Sequence, residues 1–169
     1  MVDRRVPVRT YIDAGVLIAA FHGDEPASAA ALSFLFDPLR DYATSDYVTI
    51  ERLPKCTYFK RTEEWEFYDE FFKRTVLSVS PSPTLMTLAL QHGGWTGISG
   101  IDALHVTAAL TSGGIEFITS ERPTKPIHRA KGIRVISINP LPPAPRALSL
   151  CERFAAFIVR LCRMRDTRR

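Results

Sequence analysis

The chain has 169 residues, 46% of them hydrophobic and 24% charged, which suits one domain with its own core and excludes wholesale disorder. The net charge of +4 is unevenly placed: residues 146–169 hold seven arginines against Glu152 and Asp166, a balance of +5 that leaves the first 145 residues at −1. Basicity of the whole chain is therefore no sign that its body binds nucleic acid.

Residues 6–12 mix β-branched and aromatic side chains and predict a strand that ends at Asp13. Residues 14–21 have helical composition, closed by Gly23, and the alanine-rich stretch 25–36 predicts a second helix stopped before Pro38, with Asp24 and Glu25 at its start. A short strand over 42–44 leads to Ser45, placed to cap a helix running to about Lys60 and bent at Pro54. Trp65, Tyr68, Phe71 and Phe72 recur at helical spacing within 63–74, and 76–79 reads as a strand. Helices over 82–92 and 99–112 are each followed by a Gly-Gly pair, at Gly93-Gly94 and Gly113-Gly114. Apolar strands over 115–119 and 133–138 complete the series.

Strands alternating with helices predict a three-layer α/β/α sandwich around a mostly parallel sheet. Ligand sites in such sheets lie beyond the carboxyl ends of the strands, where Asp13 and Glu121 fall. The expected organisation is one domain over 1–139, a linker over 140–146 containing four prolines, and a basic amphipathic helical tail over 147–169. In the tail, Leu150, Phe154, Phe157, Leu161 and Met164 recur at spacings of three and four. That stripe fits packing on its own domain, a dimer or partner contact, or a basic arm for RNA or a membrane surface. Cys56, Cys151 and Cys162 are odd in number and lack zinc spacing, so reduced thiols and a cytoplasmic setting are expected. Residues 1–10 do not read as a signal peptide, and no run of about 18 apolar residues is present to span a membrane.

Four acids stand at positions from which oxygen ligands for a divalent cation are readily presented. Asp13 ends a strand in YIDAGVLI, where it fits either a metal ligand or a helix N-cap. Glu51, in SDYVTIERLPK, fits a ligand or a solvated partner of Lys55. Asp102, in SGIDALH, fits a ligand or half of a capping box with Ser99. Glu121, in EFITSERP, fits a ligand or a loop acid paired with Arg122.

Taken together, YIDAGVLIAAF, TSDYVTIERLPK, SGIDALHVTAA and EFITSERP resemble, in order and spacing, the four acidic motifs of the PIN-domain family, over roughly residues 6–140. The likeness is greatest to the toxin (VapC-like) half of toxin–antitoxin modules. It implies that Asp13, Glu51, Asp102 and Glu121 gather around Mg²⁺ or Mn²⁺ and hydrolyse RNA phosphodiester bonds. Thr119 and Ser120 match the small hydroxyl residues beside the fourth acid. It further implies an RNA substrate, a cognate antitoxin that blocks the acidic pocket, and a possible homodimer.

Two positions depart from the family pattern. Ala14-Gly15 replace the polar residues common after the first aspartate, and Glu121 stands where Asp is usual. These favour one firmly held metal, with a second brought by substrate. They also leave open a catalytically weak PIN-like RNA-binding or scaffold protein, and the acids alone do not exclude a DNA-directed nuclease.

His22, His92, His105 and His128 share no ligand spacing, and His105 on the Ile101, Leu104 and Ala108 face reads as a buried, hydrogen-bonded histidine. Lys55, Lys60 and Arg61 with Tyr58 and Phe59 fit an RNA contact or, more simply, a solvated helix end.

Overall fold

The computed structural model describes residues 6–139. The linker and tail expected over 140–169 lie outside that range. Five strands run β1 (Val8–Ile12), β2 (Arg40–Ser45), β3 (Leu77–Val79), β4 (Glu116–Thr119) and β5 (Arg134–Ser137). Six helices alternate with them: α1 (Ala14–His22), α2 (Ala27–Leu35), α3 (Asp46–Tyr58), α4 (Thr62–Arg74), α5 (Pro83–Thr96) and α6 (Gly100–Thr111).

The sheet has the order β3-β2-β1-β4-β5 and every pairing is parallel. The helices cover it as the outer layers of an α/β/α sandwich. β1 is central, with Thr10 opposite Tyr42 on one side and Glu116 on the other. Burial on both faces explains why β1 and β4 read as nearly continuous apolar runs: Tyr11, Ile12, Phe117 and Ile118 are fully buried. Tyr11 and Phe117 stack with ring centroids 5.2 Å apart, and Tyr11 also meets His105 of α6 edge-on.

The predicted elements form, with boundary shifts that have local causes. α2 starts at Ala27, because Glu25 precedes a proline, which disfavours helical backbone there. β1 starts after Pro7, which has no N–H to give the ladder. α5 does not stop at Gly93-Gly94; it continues to Thr96 and is capped by Gly97 at φ 67°. Gly93 and Gly94 keep helical backbone because nothing in a helix forbids glycine, whereas the left-handed turn at 97 favours it. One 3-10 turn over Pro126–Arg129, between β4 and β5, adds to the predicted elements.

Because α1 and α3 directly follow β1 and β2, and α6 starts at the same edge, the carboxyl ends of the central strands meet three helix N-termini. Two acids elsewhere are neutralised by design of the fold. Glu116, at the opposite edge, pairs with Arg40 and Arg134, and buried Glu64 pairs with Arg52, Arg61 and His22.

Candidate metal centre at the carboxyl edge

Asp13 follows the last residue of β1 and occupies the N-cap position of α1, yet its side chain makes no capping bond. Its Oδ2 instead accepts from the Thr119 hydroxyl at 2.8 Å. Thr119 closes β4, the neighbour of β1, so strand pairing delivers this contact. The Thr119 oxygen accepts in turn from the backbone N–H of Glu121 at 3.1 Å. Among the described residues Asp13 has no Lys or Arg partner, unlike Glu64 and Glu116. Burial pushes its carboxyl above the ordinary aspartate range, and the charge of Glu51 adds to this, while His105 and Thr119 oppose it.

Glu51 lies in the second turn of α3, and its Oε1 sits 3.3 Å from Nε2 of His105 rather than on Lys55. An ionised carboxylate only accepts, so Nε2 carries the proton of this bond. The bond holds the Glu51 carboxyl below its ordinary range. His105 is buried, and burial works against its cationic form. The bond to Glu51 and the charges of Asp13, Glu51 and Asp102 prevail, and its pKa lies above the ordinary value. Its other nitrogen, Nδ1, is 3.0 Å from the Tyr11 hydroxyl, which is 2.6 Å from the Ser45 hydroxyl. Ser45 stands at the N-cap of α3 as expected, but its side chain serves Tyr11 instead of the helix end.

Asp13, Glu51 and His105 each present a ligand atom, all within 4.8 Å of one another. Asp102 lies in the first turn of α6, where its N–H donates to Ser99 Oγ at 3.2 Å; this is the forward half of the expected capping box. It is three residues before His105, so it shares that helix face, but it stands outside the tight group. Glu121 is exposed and also outside it. The structure thus brings together two of the four sequence-predicted acids and adds His105, the buried, hydrogen-bonded histidine of the sequence. Its spacing after Asp102 was the available signal, since i and i+3 on α6 face the same way.

Gly15 accounts for one departure from the PIN motif. A Cβ at that position would lie 2.0 Å from Ser120 Oγ and 3.0 Å from Ser120 Cβ. The loop after β4 fills the space that a side chain at 15 would need. The stretch 55–61 is exposed apart from Cys56, and at its end Arg61 lies over the Phe59 ring at 5.2 Å and bonds Glu64.

No family model and no curated protein matches the chain. Solved structures do. The VapBC2 complex of Rickettsia felis bound to a DNA fragment from its promoter contains a chain that matches with a TM-score of 0.58 at 15% identity, over 77% of this chain and 98% of that one. A toxin–antitoxin complex from Klebsiella pneumoniae gives 0.58 at 16%, over 78% and 99%. DNA-bound VapBC from Salmonella typhimurium gives 0.59 at 12%, over 78% and 99%. The chain therefore has an α/β fold of the PIN type. Within that type its likeness is to the VapC-like toxin fold, and at these identities the likeness speaks for fold alone.

Proposed function

We propose that this protein is a divalent-metal-dependent endoribonuclease and the toxin component of a toxin–antitoxin pair. The observation that carries the reading is the convergence of Asp13, Glu51 and His105 at the carboxyl edge of a VapC-like fold.

The donor set fits a hard divalent ion. Two carboxylates from different elements supply oxygen, and Asp13 is a half-buried carboxylate with no Lys or Arg partner among the described residues. Asp13 and Glu51 would hold Mg²⁺ or Mn²⁺, with His105 orienting Glu51 through its Nε2 proton, and with Asp102 and Glu121 as the outer acids that bind it through water or on arrival of substrate. Such an ion supplies a more acidic water and neutralises charge developing on the phosphate. The protein's part is to fix the ligands: Thr119 aims Asp13, His105 aims Glu51, and Tyr11 with Ser45 fixes the imidazole.

The neighbouring toxin folds occur in complexes with antitoxins, and we assign this chain a cognate antitoxin that silences the same edge. A second reading is a PIN-like RNA-binding protein without useful catalysis. It is favoured by the exposed position of Glu121, outside the metal group.

The deciding experiment is incubation of purified protein with RNA and, separately, single-stranded DNA in Mg²⁺ or Mn²⁺, beside Asp13→Asn. Metal-dependent cleavage of RNA that Asp13→Asn abolishes supports the nuclease. RNA binding without cleavage supports the second reading, and preferential cutting of DNA overturns the choice of substrate.

Among the described residues no helix is long and apolar enough to cross a membrane.

A further inference from the structure

We propose that the exposed cations between β4 and β5, Arg122, Lys125 and Arg129, form a phosphate-binding ridge that seats single-stranded RNA beside the metal centre. This rests on the ribonuclease reading above and adds the direction from which the substrate enters.

The ridge starts where the site ends. Thr119 bonds Asp13, the Glu121 N–H bonds Thr119, and Arg122 is the next residue. The loop then stays at this edge of the sheet. Lys125 N–H donates to the Arg122 carbonyl at 2.9 Å, and His128 Nε2 lies 3.2 Å from the Glu121 carbonyl oxygen. Arg129 reaches across to the turn between α5 and α6: a Cβ on Gly97 would lie 3.6 Å from its Nη1. That turn leads directly to Ser99 and the helix start that carries Asp102. The three cations therefore run from the fourth acid toward the third.

Most arginines of the domain are paired, whereas these three, like Lys55, Lys60 and Lys131, are exposed and without an acidic partner among the described residues; what sets them apart is their place beside the site. Arg9, Arg40, Arg52, Arg61, Lys73, Arg74 and Arg134 all pair with carboxylates. Arg122, Lys125 and Arg129 are exposed and, among the described residues, have no acidic partner. The sequence contains no Asp or Glu from 122 to 139, so no acid within this segment neutralises them. An acidic metal centre repels the phosphates on either side of the one being cut. Exposed, unpaired guanidinium and ammonium groups next to it supply the compensating attraction, in a form that reads backbone charge and not sequence. An acidic protein surface would meet the same cations, but the bond chain from Arg122 back to Asp13 ties them to the reaction.

The test uses the full chain carrying Asp13→Asn, without divalent metal, so that binding is read independently of cleavage. The probe is a fluorescein-labelled mixed-sequence single-stranded oligoribonucleotide, titrated by anisotropy at several salt concentrations. Arg122→Gln/Lys125→Gln/Arg129→Gln is expected to weaken binding about tenfold or more at low salt. It should also flatten the slope of log K against log salt by about 2, at roughly 0.7 per lost phosphate contact on a single strand. The charge-keeping set Arg122→Lys/Lys125→Arg/Arg129→Lys should bind as its parent does. Arg122→Gln alone, a surface change, should still lower the slope by about 0.7 if the triple variant melts early.

An unchanged slope in the Gln variants overturns the ridge. So does a loss of binding found only when Arg160, Arg163, Arg165, Arg168 and Arg169 are replaced by Gln. Failure of the wild type to cut RNA would sink the nuclease reading while leaving this binding result legible.

Discussion

The Tyr11 hydroxyl lies 3.0 Å from Nδ1 of His105, so a fully buried core tyrosine on β1 sets the orientation of a histidine at the candidate metal centre. Tyr11 stays protonated, because burial raises its pKa far above neutrality. Tyr11→Phe keeps the ring that stacks on Phe117 and removes only the oxygen, leaving Ser45 Oγ and His105 Nδ1 short of a partner. We expect a stability loss of about 1–3 kcal/mol in urea unfolding. We also expect metal affinity or cleavage rate to fall roughly 10–100-fold, as for other groups that orient ligands. Full activity in a destabilised Tyr11→Phe protein would show that His105 needs no such support.

Asp13 and Glu51 carry like charge within 4.8 Å of a shared neighbour, and each disfavours the other's ionised form. A cation held by this group would relieve that repulsion and favour the folded state. Mg²⁺ or Mn²⁺ at roughly 100 times its Kd should therefore stabilise the wild type by about 2.7 kcal/mol. Differential scanning fluorimetry should show the rise in Tm, and Asp13→Asn or Asp102→Asn should blunt it. An equal metal response in wild type and Asp13→Asn would remove Asp13 from the ligand set.

Gly15→Ala pits two effects against each other. Alanine in a helix gains about 1 kcal/mol over glycine, but the new methyl would meet Ser120 at 2.0 Å from Oγ, an overpacking that costs about 1–3 kcal/mol. We expect the single variant to be no more stable than wild type and less active, because Ser120 adjoins the Thr119 that holds Asp13. Combining it with Ser120→Ala removes Oγ and much of the clash, and a double-mutant cycle should show favourable coupling of about 1 kcal/mol. Additive effects of the two changes would mean that the loop after β4 gives way freely.

Glu64 tests a part of the structure outside the Asp13, Glu51 and His105 group. Burial alone would raise its pKa, but bonds from Tyr68, His22 and Arg61 outweigh that and bring it down to about 2, from an ordinary 4.5. A pKa depressed on folding gives stability that is complete above about pH 4.5 and is lost as pH falls through about 2. Glu64→Gln breaks a buried charge network and should cost about 3 kcal/mol or more at neutral pH. Urea unfolding across pH should show the gap between wild type and variant closing as pH drops toward 2. A gap that stays constant would place the loss in packing and not in charge.

The alternation of strands and helices was legible because hydrophobic periodicity and end signals are local properties. Val8–Ile12, Asp46–Tyr58 and Gly100–Thr111 follow from side chains within a few residues of one another. The candidacy of Asp13 and Glu51 was legible for the same reason, as acids at the ends or starts of elements. What the chain alone left open was partnership between distant residues. Whether Asp13 capped α1 or faced a cleft depended on Thr119, 106 residues away. Whether Glu51 turned to Lys55 or inward depended on His105, 54 residues away. The sheet order decided both, by laying β4 beside β1 and α6 over them. Linear spacing carries helix faces and strand ends; which side chains share a counter-charge is set by contacts that exist only once the strands have paired.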